Sequence, residues 1–253
     1  MTRRAAIGTD VLVGCAGWSI PSVHAGLFGE GDSALQRYAT RFPIVEINSS
    51  FYRPHLSQTY ERWARSVPLR FRFSVKLPKT ITHEGRLHSS GRELDAFQAQ
   101  VGGLGRKLGG VLVQIPPSLP FDARVAATFF GMLRRRFDVG IALEPRHASW
   151  FAPAATALLQ RLDIARVAAD PAPIDGAGKP LASSRWVYWR WHGSPRMYYS
   201  AYSDDRLAHL AASVRPAGAE PWVIFDNTAH GHAIADAVRL QGLLAAQRVD
   251  VKA

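Results

Sequence analysis

Eight short apolar segments alternate with helical patterns along this chain, and that alternation limits the folds open to it. Strands alternating with helices are typical of an α/β protein with a parallel sheet. Eight such strands within 253 residues favour a closed (β/α)8 barrel of the TIM type over an open doubly wound sheet. The turn after the first strand, Gly14-Cys15-Ala16-Gly17, lacks the glycine spacing of a dinucleotide-binding motif. The predicted strands are Val11–Gly14, Ile44–Asn48, Phe71–Lys76, Val111–Ile115, Gly140–Glu144, Ala165–Ala169, Trp186–His192 and Trp222–Asp226.

Helical patterns fill most of the intervals between these strands. The apolar stripe from Leu35 to Phe42 repeats at helical spacing, with Asp32 or Ser33 as a candidate N-cap. A similar stripe is predicted from Leu94 to Leu108. The segment Pro171–Ser184 is rich in Pro, Gly and Ala and has no helical stripe, so we expect a long loop in place of the helix after strand six. Nothing resembles a linker, and we predict a single barrel domain over residues 1–253.

The chain is basic, with 31 Lys and Arg against 20 Asp and Glu and a formal net charge of +11. Such a charge is compatible with nucleic acid, an anionic membrane or an acidic substrate as partner. The basic residues are scattered, which favours an ordinary basic surface over a nucleic-acid-binding face. The one tight run, Arg134-Arg135-Arg136, lies near a predicted helix C-terminus, where cations suit the helix dipole. Nucleic acid is therefore an open but less favoured partner.

The cysteine content and the hydropathy of the sequence predict the cellular compartment of the protein. The single cysteine, Cys15, excludes an internal disulfide and a Cys-rich metal site. No apolar run reaches the length needed to cross a membrane, and the stretch after Arg3-Arg4 is interrupted by Asp10 before the first strand. We predict a cytoplasmic protein with no membrane partner, and the sequence leaves its oligomeric state open.

Polar and charged residues share one face at the ends of several predicted strands. Side chains alternate across a strand, so Val45 and Ile47 share one face and Glu46 the other. Applied to the other strands, this alternation places nine polar residues inside the barrel at its C-terminal end, where the active sites of TIM barrels lie. Buried charges could instead neutralise one another as structural ion pairs, but stability alone rarely needs so many. The inward candidates are Glu46, Asn48, Lys76, Gln114, Glu144, Arg146, Asp170, Arg190 and His192.

Further polar and aromatic residues follow the strand ends and are expected on loops over the same opening. Tyr52 follows strand two, His83 follows strand three, and His147 follows strand five. Tyr198 and Tyr202 follow strand seven, and Asn227 follows strand eight. Each alone is a weak signal, because a lone His or Tyr is more often a surface or packing residue.

The ordered motifs of the chain resemble the YecE-like family, known as domain of unknown function 72. The similarity covers nearly the whole chain, from Gly14 to about Leu244. It implies a TIM-barrel fold and no established reaction. The motifs are Gly14-Cys15-Ala16-Gly17-Trp18, Val45-Glu46-Ile47-Asn48-Ser49-Ser50-Phe51-Tyr52-Arg53, Phe73-Ser74-Val75-Lys76, Thr82-His83, Gln114-Ile115-Pro116-Pro117, Glu144-Pro145-Arg146-His147 with Ser149-Trp150, Asp170, Arg190-Trp191-His192-Gly193, Tyr198 to Tyr202-Ser203, and Asp226-Asn227.

The residues at the opening predict an enzyme that carries out acid/base chemistry on a small anionic substrate, whether phosphorylated, carboxylated or sugar-like. Arginine offers a two-pronged fork for carboxylate or phosphate, and buried carboxylates and histidine can exchange protons. The sequence does not resolve a hydrolase, an isomerase or a lyase. The predicted catalytic residues are Glu144, Glu46, His192 and Lys76. The predicted substrate-binding residues are Asn48, Tyr52, His83, Gln114, Arg146, His147, Asp170, Arg190, Tyr198, Tyr202 and Asn227.

Two alternatives remain open at this point. Glu46, Glu144, Asp170 and His192 could ligate a divalent ion, as in metal-dependent barrel isomerases and phosphodiesterases. No closely spaced ligand motif occurs, so neither a metal nor another cofactor is predicted. The other alternative is a non-catalytic protein that binds a metabolite or nucleic acid.

Overall fold

The computed structural model describes residues 11–88, 90–214 and 219–250. In this part of the chain, nine strand segments and seven α-helices alternate as the sequence predicts. The strands are β1 Leu12–Ala16, β2 Ile44–Ile47, β3 Arg72–Lys76, β4 Leu108–Gln114, β5 Gly140–Glu144, β6 Ala165–Arg166, β7 Ala168–Asp170, β8 Trp186–Trp191 and β9 Glu220–Phe225. The helices are α1 Ala34–Ala39, α2 Ser57–Arg65, α3 Gly91–Val101, α4 Ala123–Arg136, α5 Pro153–Arg161, α6 Asp204–Ser213 and α7 His232–Asp250.

The strands form one parallel sheet in the order β6-β5-β4-β3-β2-β1-β9-β8-β7. Its two outer segments, β6 and β7, are halves of the predicted sixth strand, and only Val167 separates them. One half pairs with β5 and the other with β8, so consecutive chain segments bring the two edges of the sheet together. The result is a nearly closed α/β barrel of the TIM type, which confirms the predicted fold class.

Local sequence signals account for the helix starts. The Ser33 hydroxyl accepts a hydrogen bond from the backbone N–H of Gln36 at 3.2 Å, so Ser33 rather than Asp32 caps α1. The stripe predicted to run to Leu108 is interrupted, because α3 ends at Val101 and a 3-10 turn follows. Gly105 then adopts a left-handed conformation (φ 52°), which glycine alone adopts without steric cost, and β4 begins directly after this turn.

The long loop predicted after strand six is present. Residues 171–185 contain turns and one isolated strand bridge, between Leu181 and Arg166, but no helix. The missing helix leaves a cavity of about 400 Å³ beside α6, lined in part by Trp189, Trp191 and Arg206. No helix within the described residues is long and apolar enough to cross a membrane.

The barrel interior changes from apolar to charged along its axis. Trp186 and Trp222 fill the lower end, with ring centroids 5.0 Å apart. Gly110 and Gly140 make room for them: a Cβ on Gly140 would lie 2.7 Å from atoms of the Trp186 ring. The side chains above this aromatic layer are increasingly polar, so the floor is packed and the opposite end carries the charged groups.

Candidate active site at the mouth of the barrel

The C-terminal ends of the strands, here called the mouth, enclose a chain of buried polar groups that begins just above the aromatic floor. The Tyr188 hydroxyl donates a hydrogen bond to Glu46 Oε2 at 3.0 Å. Ser74 Oγ lies 2.9 Å from the same hydroxyl and must donate to it, since the tyrosine has only one proton to give. Burial, followed by the charge of Glu46, raises the pKa of Tyr188 well above its ordinary value, so the tyrosine is a fixed donor beneath Glu46.

Arg190 lies at the centre of the mouth and contacts three carboxylates. Its Nε and Nη2 donate to Glu46 at 2.8–3.1 Å. Its Nη1 donates to Glu144 Oε2 at 3.0 Å, and its Nη2 lies 2.9 Å from Asp226 Oδ2. Burial alone would lower the pKa of this guanidinium, but Asp226, Glu46 and Glu144 together raise it well above its ordinary value. Arg190 therefore fills the space between Glu46 and Glu144.

Glu144 is surrounded by cationic and hydrogen-bonding groups. Its Oε1 accepts from Arg146 Nη2 at 2.5 Å and lies 3.0 Å from His192 Nε2. Burial opposes ionisation of this carboxyl, but Arg146, Arg190 and His192 outweigh it and hold the pKa of Glu144 well below its usual range. Glu144 is thus a permanent anion near neutral pH.

His192 connects Glu144 to a second carboxylate. Its Nδ1 lies 3.1 Å from Asp226 Oδ2, on the opposite side of the ring from Glu144. Both contacts are hydrogen bonds only when each ring nitrogen carries a proton. Burial raises the pKa of Asp226, but Arg190 and His192 lower it further, so the net shift is downward. We call Glu46, Arg190, Glu144, His192 and Asp226 the charge network.

Lys76 is the last residue of β3 and lies at the upper edge of this network. Its contacts differ from those of Arg146 and Arg190, which both pair with carboxylates. The residue is 5% exposed, and among the described residues no carboxylate oxygen lies within 4 Å of its ammonium. Its Nζ lies 4.0 Å from the centre of the Phe51 ring. Burial, with a contribution from Arg190, lowers the pKa of Lys76 to about 8, against the opposing charges of Glu46, Glu144 and Asp226.

Two amide side chains at the mouth also lack partners. Asn48 Oδ1 and Gln114 Oε1 are buried and accept no hydrogen bond from the part of the chain that the structure describes. Ile47 pairs with Val75, so the next residue, Asn48, lies level with Lys76. Buried polar atoms normally have a partner, and one that the protein does not supply is expected from water or a ligand. Asn48 and Gln114 therefore mark the space above the charge network as polar and available.

The structure brings most of the predicted inward residues together, but Asp170 is a correction. Its side chain accepts a hydrogen bond from the Tyr202 hydroxyl at 3.0 Å and pairs with Arg206 of α6. Asp170 is the register partner of Trp191, an outward residue on β8. Asp170 therefore faces the helices instead of the barrel interior. Tyr202 is buried there with it, against Trp191, rather than over the mouth.

The other predicted loop residues occupy several environments. Tyr198 partly covers the mouth, with its ring 5.6 Å from that of His192 and 37% of the residue exposed. His83 packs its ring 5.0 Å from that of Phe51, next to Lys76. Burial, followed by the charge of Lys76, lowers the pKa of His83. Tyr52 is 69% exposed and packs edge-on against Phe51, which leaves it outside the buried part of the site.

His147 and Asn227 hold local structure. His147 Nδ1 accepts from the backbone N–H of Ser149 at 3.2 Å and caps the 3-10 turn that follows β5. Asn227 Nδ2 donates to Ser200 O at 2.9 Å and to Asp236 Oδ2 at 2.7 Å. Both side chains lie near the mouth, and their contacts order the loops around it.

Two members of the site were not among the predicted site residues. Asp226 completes the charge network, and extending the alternation of Trp222 and Ile224 by two residues would have placed it inside the barrel. Phe51 covers Lys76, and no spacing rule identifies it because it lies in a 3-10 turn after β2.

The residues predicted as metal ligands are engaged with other protein groups. Arg190 contacts the oxygens of both Glu46 and Glu144, and Asp170 faces α6. Within the described ranges, no three His, Cys, Asp or Glu side chains form a group that could hold a metal ion. The carboxylates at the mouth are therefore already paired with cationic groups of the protein.

Comparison with known proteins relates the chain to a family. A family model described as "Protein of unknown function DUF72" matches residues 12–253. The UPF0759 protein YunF of Bacillus subtilis (strain 168) is 31% identical over 149 residues, which cover 52% of this chain and 53% of YunF. The UPF0759 protein YecE of Escherichia coli (strain K12) is 28% identical over 144 residues, which cover 56% of this chain and 50% of YecE. The chain thus spans about half the length of the curated relatives it matches.

Solved structures have a similar fold. A DUF72 family protein from Enterococcus faecalis V583 superimposes with a TM-score of 0.77 at 23% identity, covering 93% of this chain and 96% of that one. A DUF72 family protein from Thermotoga maritima MSB8 gives a TM-score of 0.76 at 24% identity, covering 93% and 99% of the two chains. At these identities the likeness shows the fold alone, and it agrees with the barrel described above.

Proposed function

The chain belongs to the DUF72 family of proteins of unknown function, and we propose that it is an enzyme that carries out acid/base chemistry on a small anionic molecule at the mouth of the barrel. The observation that carries this proposal is Lys76, a buried amine at the opening with which no carboxylate of the described residues pairs. A lysine kept only for stability would be expected to pair with one of the carboxylates nearby. Its position instead suits a group that meets a ligand.

The balance of charge at the mouth supports an anionic ligand. Three carboxylates, Glu46, Glu144 and Asp226, are already in contact with Arg190, Arg146 or His192. Lys76 adds a further cation above them, and the Arg146 side chain is 12% exposed at the opening. A phosphate or carboxylate group would meet Arg146 as a hydrogen-bonding fork. The unpaired side-chain oxygens of Asn48 and Gln114 would accept hydrogen bonds from hydroxyl groups of the same molecule.

We assign the predicted catalytic residues to two levels of the site. Lys76 reaches the opening and is the group placed to exchange a proton with a bound molecule. Glu46, Glu144 and His192 have no exposed surface, so they act through the groups above them. Glu144 fixes Arg146, and Glu46 fixes Arg190. Such a rigid support lets charges meet a ligand without rearranging, which is the usual requirement for electrostatic catalysis.

His192 lies between Glu144 and Asp226 and contacts both carboxylates, so a proton could move within the charge network through its ring. Each ring nitrogen of His192 lies 3.0–3.1 Å from a carboxylate oxygen. Because Glu144 and Asp226 are both held as anions, a proton that leaves the ring would have to be replaced by the ligand or by solvent at the mouth. Asp226 is 4% exposed, so this route ends at the edge of the mouth.

Anion binding tests the ligand class directly. Titration of inorganic phosphate, followed by isothermal calorimetry, should show binding that Arg146→Met weakens roughly 10- to 100-fold, since a charge-assisted hydrogen bond contributes about 1.5–3 kcal/mol. Arg185→Met is the matched control. Arg185 is half-exposed, pairs with Asp138 and lies just before β8, at the opposite end of the barrel. Equal affinity in wild type and Arg146→Met would contradict the proposed anion site.

Turnover tests the enzymatic part of the proposal. The protein is incubated with pools of phosphorylated and carboxylated small molecules, and proton NMR follows each component. We expect wild type to convert at least one component and Lys76→Met to lose that conversion at least tenfold. Phosphate binding without any conversion would instead indicate a non-catalytic metabolite-binding protein.

A further inference from the structure

We propose that Lys76 is a nucleophile that forms a Schiff base with the carbonyl carbon of a small anionic aldehyde or ketone. This inference rests on the proposed function, because it names the substrate class of the same site. It starts from the geometry of one side chain, which is buried at the mouth, is covered by an aromatic ring and forms no ion pair with any residue that the structure describes.

The surroundings of Lys76 leave its nitrogen lone pair available once the proton is lost. Among the described residues, no acceptor lies within hydrogen-bonding distance of Nζ, and the face of Phe51 is 4.0 Å away. An aromatic face stabilises an ammonium electrostatically but accepts no proton from it at neutral pH. A carboxylate in that place would keep the lysine charged and unreactive.

The protonation of Lys76 supports the same role. With a pKa of about 8, about a tenth of the amine is neutral at pH 7, whereas an ordinary lysine is neutral at roughly one part in 2,500. Desolvated lysines of this kind serve as Schiff-base nucleophiles. The charged and titratable groups around it are Glu46, Glu144, Arg190, Asp226 and His83.

The reaction balances without a cofactor. The neutral amine attacks the carbonyl carbon, a C–N bond forms, and the electron pair of the C=O bond moves to oxygen, which takes a proton. The resulting carbinolamine loses that oxygen as water as the nitrogen lone pair forms the C=N bond, and the two hydrogens of the water are the two that the amine has given up. The C=N bond formed in this way takes up one proton to become the iminium. No electron is gained or lost overall.

The other lysines provide controls within the same chain, which contains only five. Lys107 is also partly buried, and burial lowers its pKa. Its Nζ, however, donates to Ala64 O and Val67 O at 2.5 Å each, away from the mouth. Lys79 is exposed and pairs with Glu84, and Lys179 is exposed on the loop after β7. Lys107 is thus a control for a partly buried lysine away from the mouth, and Lys79 and Lys179 are controls for exposed lysines.

The anion requirement follows from the neighbours of Lys76. Arg146 and Tyr198 lie over His192 at the mouth, and Asn48 lies level with Lys76. A carbonyl compound whose carboxylate or phosphate meets Arg146 would be held with its carbonyl group inside the mouth. Such positioning raises the local concentration of the electrophile at the amine.

Reductive trapping with glyoxylate tests the proposal on the wild-type protein. Glyoxylate and sodium cyanoborohydride convert a Schiff base to a stable carboxymethyl amine, and peptide mass spectrometry reports the rate at each lysine. We expect Lys76 to be modified at least tenfold faster than Lys107, Lys79 or Lys179, with a rate that rises with pH and levels off above about 8. Inorganic phosphate should slow the modification of Lys76 alone.

The outcomes separate this inference from the proposed function. If Lys76 reacts no faster than Lys79, Lys107 and Lys179 while phosphate still binds through Arg146, the nucleophile assignment is overturned and the anion site stands. If phosphate does not bind, the proposed function itself fails. Fast modification of Lys76 that phosphate does not slow would overturn the anionic substrate class. Because the comparison is made among lysines of one folded protein, it does not depend on a variant that might misfold.

Discussion

Replacing Lys76 with methionine should change how the stability of the protein depends on pH. The folded protein holds this amine with a pKa lowered from 10.5 to about 8, whereas the unfolded chain restores the ordinary value. Between these two pH values the unfolded chain carries a proton that the folded chain lacks. The free energy of unfolding of wild type therefore rises with pH across this window, relative to a variant without the amine.

The magnitude follows from the size of the shift. A change from 10.5 to about 8, at about 1.4 kcal/mol per pKa unit, corresponds to about 3 kcal/mol. Lys76→Met should therefore have its greatest relative stability below pH 8, where wild type folds with a buried ammonium. That advantage should shrink by about 3 kcal/mol as the pH rises from 8 to about 10.5. Methionine keeps most of the length of the side chain, so the packing contribution stays nearly constant with pH.

Urea unfolding followed by tryptophan fluorescence, repeated across this pH range, measures the difference. Lys79→Met is the matched control, because it removes an exposed lysine whose pair with Glu84 contributes less than about 1 kcal/mol. Only differences in the free energy of unfolding between variant and wild type are compared, because buried tyrosines such as Tyr188 also change the stability of both proteins at high pH. A stability difference for Lys76→Met that stays level from pH 7 to 10.5 would refute the argument that burial lowers the pKa of this amine.

Two further predictions concern the charge network and the floor beneath it. Glu46→Gln should lower the free energy of unfolding by about 3–5 kcal/mol, because it leaves a buried guanidinium short of one charged partner, whereas Glu61→Gln, in an exposed helical pair, should cost less than about 1 kcal/mol. Equal losses in urea unfolding would contradict this ranking. Gly140→Ala should cost about 1–3 kcal/mol, since its Cβ would lie 2.7 Å from the Trp186 ring, and the cost should shrink in a Trp186→Leu background. Gly242→Ala, at an exposed position of α7, meets nothing within 4 Å and should be neutral or stabilising by roughly 0.5–1 kcal/mol. A loss equal to that of Gly140→Ala would point to backbone strain instead of a clash.

The barrel was predictable because its strands are buried on both faces and its helices are amphipathic. The alternation of side chains along these strands predicts Glu46, Glu144, Arg190 and His192 inside the barrel, which is where the structure has them. These residues stand inside regular strands or directly at their ends, where alternation still holds. The motifs also led to the correct family.

Alternation was less informative where strands end or break. Asp170 follows the inward residue Val167 by three positions and therefore faces outward, although its place at a strand end predicted a mouth residue. Asp226 lies one position beyond β9 and was passed over for its neighbour Asn227. Phe51 occupies a 3-10 turn, which is fixed by hydrogen bonds from the Ser50 hydroxyl of the same turn to the carbonyl oxygens of Ile47 and Lys76. Side chains outside regular strands are oriented by tertiary contacts that no spacing encodes.

The arrangement of the mouth explains why so many charges are buried in one place. A buried ion pair seldom adds net stability, because desolvation offsets the attraction, and an apolar continuation of the tryptophan floor would fill the same space at lower cost. What the charge network does supply is a fixed set of positive and negative groups beneath Lys76. Arg190 contacts Glu46, Glu144 and Asp226, and no carboxylate of the described residues pairs with the lysine. If Lys76 is the reactive amine that we propose, the network keeps it free to react, which would be a functional reason for an otherwise unfavourable interior.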